Sequence, residues 1–403
     1  MTKRLYLEDS HLTACEATVE WIEKTDAGYD VTLDQTVIFD NAGGQPADTG
    51  RLGDAIVLGC DEKDGKLLHH IDRPLTVGQR YPLTLDWARR FDFMQQHTGE
   101  HLLSYAAYRH YGVNNVGFHL AADCATIDLD APLTQEQLSE IVRAANGYVF
   151  RDLPVHATLY ESEDAIRNLP LRKHAEGVRT PIRLVRIEEA DCCTCCAPHC
   201  NRTGEVGGII VTDAVRYKGG MRLTFLCGGR AFAYAEALHR DMDAMARGFS
   251  TSREAVLETV ARLREEHGRL RRREKALLGA LNAYLARDLA ANSVRAGKCA
   301  LIVAEAEDCA PDRLKALALQ TLTDERALTV LLSVSGGKLG YVLAATPALG
   351  LDMGELCQAV NAAVNGRGGG RGTLAQGAAA VPAALGETVE QLRGYFVRRL
   401  ASL

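Results

Sequence analysis

Nowhere in the 403 residues is there a run of about 18 apolar side chains, the length a helix needs to cross a bilayer. The opening MTKRLYLEDSHL carries basic residues with no apolar segment behind them, so no secretory signal is expected and the chain is expected in the cytoplasm. Positive charge is also short: 46 Lys and Arg stand against 52 Asp and Glu, a formal net charge of -6. That excludes a broadly basic, sequence-blind coat for nucleic acid and leaves any polyanion to local basic patches. The glycine-rich stretch NAGGQPADTG, residues 41–50, lacks the Lys-Ser/Thr that completes a P-loop. Disorder is excluded too, because 47% apolar and 24% charged residues is ordinary globular composition, and the length suffices for two or three domains with separate cores.

Cysteine, by contrast, is plentiful and uneven. Five of the twelve fall between Cys192 and Cys200, in DCCTCCAPHC. In a chain expected to keep its thiols reduced, such crowding points to metal or redox chemistry over a disulfide framework. A second signal lies in MQQHTGEHLLSYAAY, residues 94–108, where His97 and His101 stand four apart in a helical pattern. Side chains at i and i+4 share one helix face, so both rings can reach one ion. Cys195 and His199 repeat the four-residue step, and together the two pairs offer three nitrogens and one thiolate, a tetrahedral donor set suited to Zn²⁺. On chemistry alone, Cys192, Cys193, Cys196 and Cys200 leave the identity of the thiolate open.

The periodicity divides the chain into an α+β protein of four parts. Residues 1–90 alternate apolar and polar positions in short runs (ATVEWIEK, YDVTLDQTVIF, KLLHHID), predicting a small antiparallel β-barrel that carries the glycine-rich loop. From Arg89 the period lengthens: Phe93, Met94, His97, His101, Tyr105 and Tyr108 predict a helix with a buried stripe. Strands such as CATIDLD, VHATLY, IRLVRIE and RLTFLC then alternate with a helix near QEQLSEIVRAANGYVFR, giving an α+β core over residues 91–235. Residues 236–290 read as a helical linker or coiled coil, in which Thr251 and Glu254 form a capping-box pattern ahead of heptad-spaced Val256, Val260, Leu263, Leu270, Leu277 and Leu281. Residues 291–403 read as a separate α/β domain ending in GRGGGRGTLAQGAAA.

In chain order, TVIFDNAGGQPADTG, RRFDFMQQHTGEHLL, VGFHLAADCATIDLD and CCAPHCNRTGEVG resemble the editing domain of alanyl-tRNA synthetase and its freestanding AlaX-type relatives, over roughly residues 5–235. The ending resembles the glycine-rich signature of the C-Ala domain of the longer members. The resemblance implies zinc held by His97, His101, Cys195 and His199, which selects Cys195 among the thiols. It further implies a Gly43-Gly44-Gln45 loop at the reacting ester; Thr36, just before that loop in DQTVIF, would place a hydroxyl near the same surface, and Glu100 would at most orient a ligand histidine. The implied reaction is hydrolysis of the ester that joins serine or glycine to alanine tRNA. Arg367 and Arg371 would contact tRNA phosphates, and a homodimer would form through the linker or the C-terminal domain. The synthetase's own catalytic domains would occupy several hundred residues ahead of this module, so a trans-acting deacylase is expected. Two departures stand out: Ala197-Pro198 replaces the family's usual Gly-Thr, stiffening that backbone, and the extra cysteines are unusual. The related threonyl-tRNA editing domain shares both ligand pairs, and the glycine-rich loop with the C-terminal domain favours alanine. Two other classes fit parts of the pattern. HTGEH also matches H-x-x-E-H of zinc peptidases, with Glu100 as base, and a non-catalytic tRNA- or zinc-binding protein needs no turnover at all.

Overall fold

The computed structural model describes residues 2–173 and 181–401, and divides into two units, Met1–Gly248 and Phe249–Leu403. Among the described residues, no helix is long and apolar enough to cross a membrane.

The first unit opens with β1 (Lys3–Arg4), β2 (Ala14–Thr25), β3 (Gly28–Leu33), β4 (Gln35–Thr36), β5 (Gly50–Leu52), β6 (Ala55–Lys63), β7 (Lys66–Ile71) and β8 (Arg80–Leu85). The two short strands β1 and β4 pair in parallel. The other six pair antiparallel in the order β2-β3-β7-β6-β5-β8, and β8 returns to β2, so the ladder closes on itself and leaves no edge. Alternate residues point inward, which is why Ala17, Val19, Val31, Leu33, Leu52, Val57 and Leu83 are fully buried.

Next comes α1 (Trp87–Tyr111), started by the Asp86 side chain accepting from the Arg89 amide and ended by Gly112 in the left-handed region at φ 65°. The helix is more deeply buried than a stripe implies. Every residue from Gln96 to Ser104 is buried, while Tyr108 of the expected stripe is exposed. A helix enclosed on all sides must satisfy its polar residues internally. Gln96 accordingly exchanges hydrogen bonds with both backbone groups of Cys227, at 2.7 and 3.0 Å. Gly99 is required there, because a Cβ would stand 2.2 Å from the Cys227 sulfur.

Strands β9 (Asn115–Leu120) and β10 (Ala125–Leu129) follow, then α2 (Gln135–Phe150), whose capping box joins Thr134 and Gln137. After β11 (Val155–Tyr160), β12 (Ile182–Ile187) and β13 (Cys192–Thr194), which form a three-stranded sheet, come β14 (Ile209–Tyr217) and β15 (Gly220–Cys227). The last two join the four-stranded sheet β14-β15-β10-β9, and α1 and α2 share one apolar core with it. Helix α3 (Gly228–Gly248) closes the unit, tied to α1 by the Arg230–Asp92 ion pair at 2.6 Å.

The second unit holds α4 (Val256–Ala291), β16 (Val294–Ala296), β17 (Cys299–Glu305), α5 (Pro311–Gln320), β18 (Ala327–Ser335), β19 (Lys338–Ala345), α6 (Met353–Val364), β20 (Arg367–Arg371), β21 (Leu374–Ala379) and α7 (Leu385–Ala401). Its sheet runs β16-β17-β18-β19-β21-β20, with only β17 and β18 parallel. Leu301, Val303, Val330 and Leu332 pack toward α6 and α7, while Ile302, Leu331 and Val342 pack toward α5 and the end of α4. Both faces being covered explains why β18 is a continuous apolar run. The helix expected to start with Thr251 as cap begins instead at Val256, whose N-cap Ala255 makes no side-chain bond. The Thr251 hydroxyl is turned to Thr259, at 3.5 Å. Leu263, Leu270, Leu277 and Leu281 of the heptad series are exposed.

Candidate active site

His97 and His101 sit on one face of α1, with ring centroids 5.5 Å apart. The other two candidate ligands come from the loop after β13. Strand pairing sets Cys193 opposite Val185, after which the Cys195 amide donates to the Arg183 carbonyl at 3.1 Å and the chain leaves the sheet. Arg183 then holds the loop from inside: its buried guanidinium donates to the carbonyls of Cys195 (3.1 Å), Ala197 (2.7 Å) and Leu7 (3.1 Å) and to the Ser10 hydroxyl (3.2 Å). Pro198 adds local stiffness. His199 thereby comes within 4.7 Å of the His97 ring and 4.5 Å of the His101 ring, centroid to centroid.

The ligand atoms of His97, His101, Cys195 and His199 all lie within 4.8 Å of one another. Cys195 Sγ is 3.5 Å from His97 Nε2 and 3.3 Å from His199 Nε2. The opposite nitrogen of every ring meets an acceptor: His97 Nδ1 faces Gln45 Oε1 at 2.9 Å, His101 Nδ1 faces Asp191 Oδ2 at 3.0 Å, and His199 Nδ1 faces Thr98 Oγ1 at 3.2 Å. With each Nδ1 engaged in this way, the Nε2 edges of the three rings are the ones left to face the sulfur. This donor set fits Zn²⁺, whose structural and catalytic sites use such nitrogens and thiolates.

Electrostatics at Cys195 and His199 agree with that arrangement. Burial raises the Cys195 thiol, but His97 and His199 beside it, with hydrogen bonds from His101 and His199, more than compensate and bring it well below the ordinary thiol range. Burial drives His199 down to about 3, so it is neutral at pH 7. For His101 burial acts downward, and the neighbouring Cys193, Glu100 and Asp191 carry the group well above its usual value.

His97, His101 and Cys195 open onto a cavity of about 690 Å³ whose wall also includes Gly43, Glu100, Phe118, Lys173 and Arg4. Gly43 and Gly44 take φ of 61° and 79°, and a Cβ on Gly44 would stand 2.5 Å from the Phe118 carbonyl. Their loop can thus lie against β9, where the Leu120 amide donates to the Gly44 carbonyl at 2.8 Å.

Not every expected residue meets the cavity. Thr36 is fully buried within the first unit: its hydroxyl pairs with His69 Nε2 at 2.8 Å and accepts from the Ile38 amide at 3.0 Å. Gln45, expected at the ester, is buried behind the His97 ring. Arg367 and Arg371 lie in the second unit at the two ends of the exposed edge strand β20. Glu100 is buried, accepting from Ser104 Oγ at 2.5 Å and Asn115 Nδ2 at 2.6 Å.

Three contributors carry no sequence pattern of their own. Asp191, fully buried, is gripped by Arg172 at 2.6 and 2.8 Å while facing His101, and only its place beside the cysteine cluster hinted at a role. Arg183 and the buried Arg90–Asp48 pair gave no such hint.

Residues 182–222 match the family described as "Threonyl and Alanyl tRNA synthetase second additional domain", and residues 298–398 match the "DHHA1 domain". The chain is 27% identical to Alanyl-tRNA editing protein AlaX-L of Pyrococcus horikoshii over 94% of each chain. It is 30% identical to Alanyl-tRNA editing protein Aarsd1 of Bos taurus over 65% of this chain and 60% of that one, and 31% identical to Alanine--tRNA ligase of Thermococcus kodakarensis over 97% of this chain and 43% of that one. Against these last two the chain spans less than two thirds of the relative's length. The two domain matches fall in the same order as the two units of the fold, and the chain is similar to alanyl-tRNA editing proteins over most of its length.

Proposed function

We propose that this protein hydrolyses, in trans, the ester linking serine or glycine to alanine tRNA, using a zinc site of His97, His101, Cys195 and His199 on an N-terminal module built around a small β-barrel. The observation that carries the reading is the convergence of three histidines and one cysteine within 4.8 Å, three of them at the wall of a cavity, with each Nδ1 met by its own polar partner. A zinc peptidase built on HTGEH would need a carboxylate as third ligand. Here Cys195 and His199 stand in that place, and the nearby Asp191 is paired with Arg172.

The chemical need for such a site follows from size. A pocket that accepts alanine cannot exclude glycine, which is smaller, and rejects serine poorly, because one added hydroxyl changes binding there by only ~1–3 kcal/mol. A second site that anchors the serine hydroxyl leaves a buried polar group unpaired when alanine enters. When bound, zinc supplies a Lewis acid for such an oxygen and for the ester carbonyl. The residues of the chain do the rest. Gln45, Asp191 and Thr98 hold the three rings in their tautomers, Thr36 pins the strand leading into the glycine loop, and the Gly43–Gly44 backbone lets the terminal adenosine approach closely.

The reading is tested with purified Ser-, Gly- and Ala-tRNA(Ala). Deacylation of the seryl ester should exceed that of the alanyl ester by at least ~100-fold, the lower end of what an unpaired polar anchor delivers. Equal rates on all three would defeat it.

For the second unit, phosphate contacts fall to Arg367 and Arg371, which flank three glycines on an exposed edge strand. Replacing both by alanine should weaken tRNA binding without altering preference among amino acids, and should reduce the slope of log K against log salt by ~2. Titrations at several salt concentrations measure this, and an unchanged slope would remove both residues from the interface.

A further inference from the structure

Glu100 is the carboxylate that the proposed reaction leaves without a task. Its Oε1 is saturated by Ser104 Oγ at 2.5 Å and Asn115 Nδ2 at 2.6 Å, and Asn115 is itself fixed where its Oδ1 accepts from the Gly117 amide at 2.8 Å. The carboxylate plane is therefore held rigidly. Oε2 is left toward the ligand group, 3.7 Å from His101 Nε2, and the side chain lines the cavity. Once His101 Nε2 acts as a metal ligand it has no proton to give, so Oε2 is a buried acceptor that needs a donor from elsewhere.

Among the described residues, the neighbouring cations have other engagements. Arg172 lays two hydrogen bonds on Asp191, and Lys173 Nζ donates to the Asn115 carbonyl at 3.3 Å. Arg183 is spent on carbonyls and the Ser10 hydroxyl. Among the described residues, Glu62 also lines the cavity, and its carboxylate pairs with Arg4 at 2.6 Å.

An aminoacyl ester brings the missing donor. Its free α-amino group lies two bonds from the carbonyl carbon, so a carbonyl held at the ligand group places that amine within reach of a carboxylate beside it. We infer that Glu100 Oε2 receives the α-amino group of the aminoacyl ester, which makes the site selective for esters of free amino acids over esters that lack the amine. This rests on the deacylase reading and names the part of the substrate it recognises.

The test compares two esters of the same tRNA(Ala): the seryl ester, and the 3-hydroxypropanoyl ester, which differs only in lacking the amine. In the wild-type protein kcat/KM should favour the seryl ester by ~10–100-fold, as expected for one charge-assisted hydrogen bond. In Glu100→Gln, which keeps an oxygen for Ser104 and Asn115, that ratio should collapse toward one, with the change carried by KM and with zinc content, read by elemental analysis, equal to wild type. Equal wild-type kcat/KM on the two esters would overturn the inference without any variant. So would a Glu100→Gln protein that loses kcat equally on both, the mark of a proton-transfer role. A wild-type protein that hydrolyses neither ester would overturn the deacylase reading itself, and the inference with it.

Discussion

Cys195→Ser and His101→Ala are each expected to purify with far less than one zinc per chain, while Cys193→Ser, Cys196→Ser and Cys200→Ser keep a full complement. The geometry separates these thiols sharply. Cys195 Sγ faces the Nε2 atoms of His97 and His199, whereas Cys193 Sγ lies 3.4 Å from Nδ1 of His101, on the far side of that ring, where it also meets Asp191. Cys193 cannot replace Cys195 unless the ring turns over and abandons its carboxylate. Cys196 is largely exposed, and the buried Cys200 has its amide bonded to Thr98 Oγ1. Loss of an outer partner of a metal ligand weakens affinity ~10–100-fold, and loss of a ligand itself should exceed that. Since a bound zinc contributes several kcal/mol to the reacting oxygen, deacylation should fall by ~10³-fold or more in the two ligand variants. Elemental analysis beside single-turnover deacylation checks both. Full zinc in Cys195→Ser would move the thiolate role to another cysteine, and full activity without zinc would remove the metal from the chemistry.

The contrast among cysteines marks where the sequence was legible. Both four-residue steps could be read directly, because a helix pairs i with i+4 and a tight loop keeps Cys195 near His199 whatever the rest of the fold does. Many of the strands and helices were legible for a similar local reason, being set off by glycine, proline or a capping residue. What holds the ligands in place was not legible. Gln45 meets His97 across 52 positions and Asp191 meets His101 across 90, and no periodicity links residues so far apart. Thr36 shows the converse. Its position ahead of the glycine loop suggested a hydroxyl at the substrate, but on β4 the side chain turns into the closed ladder and meets His69. The start of α4 was misplaced because a capping box is a pattern of two side chains, and here one of them, Thr251, bonds Thr259 instead.

Arg90→Met is expected to lower stability by ~3–5 kcal/mol, the range for leaving one partner of a buried ion pair alone. Arg90 and Asp48 are both fully buried, and Asp48 Oδ1 has no hydrogen-bond partner, so Asp48 would keep a charge with little else to solvate it. The guanidinium does more than neutralise that charge. It donates to Asp48 Oδ2 at 2.9 Å, to the Ser10 carbonyl at 2.9 Å and to the Val37 carbonyl at 2.7 Å, clamping three separate segments onto the first turn of α1. One of those segments leads to Gln45, which orients His97. Another presents Ser10 Oγ, which accepts from the His199 amide at 3.3 Å and from Arg183 at 3.2 Å. Arg90 thus connects indirectly to ligands on both sides of the candidate metal site while touching none of them. Zinc affinity should therefore fall ~10–100-fold along with stability, the effect of disturbing groups that orient ligands. Adding Asp48→Leu should restore a large share of the lost stability by removing the stranded charge. The recovery should be partial, since the Phe39 amide also loses its acceptor, and zinc affinity should stay low because the clamp on Ser10 and Val37 is still missing. Urea unfolding and competitive zinc titration of the single and double variants separate the two effects. A single variant within about 0.5 kcal/mol of wild type would show that the pair contributes no stability, and unchanged zinc affinity would show that it does not place the ligands.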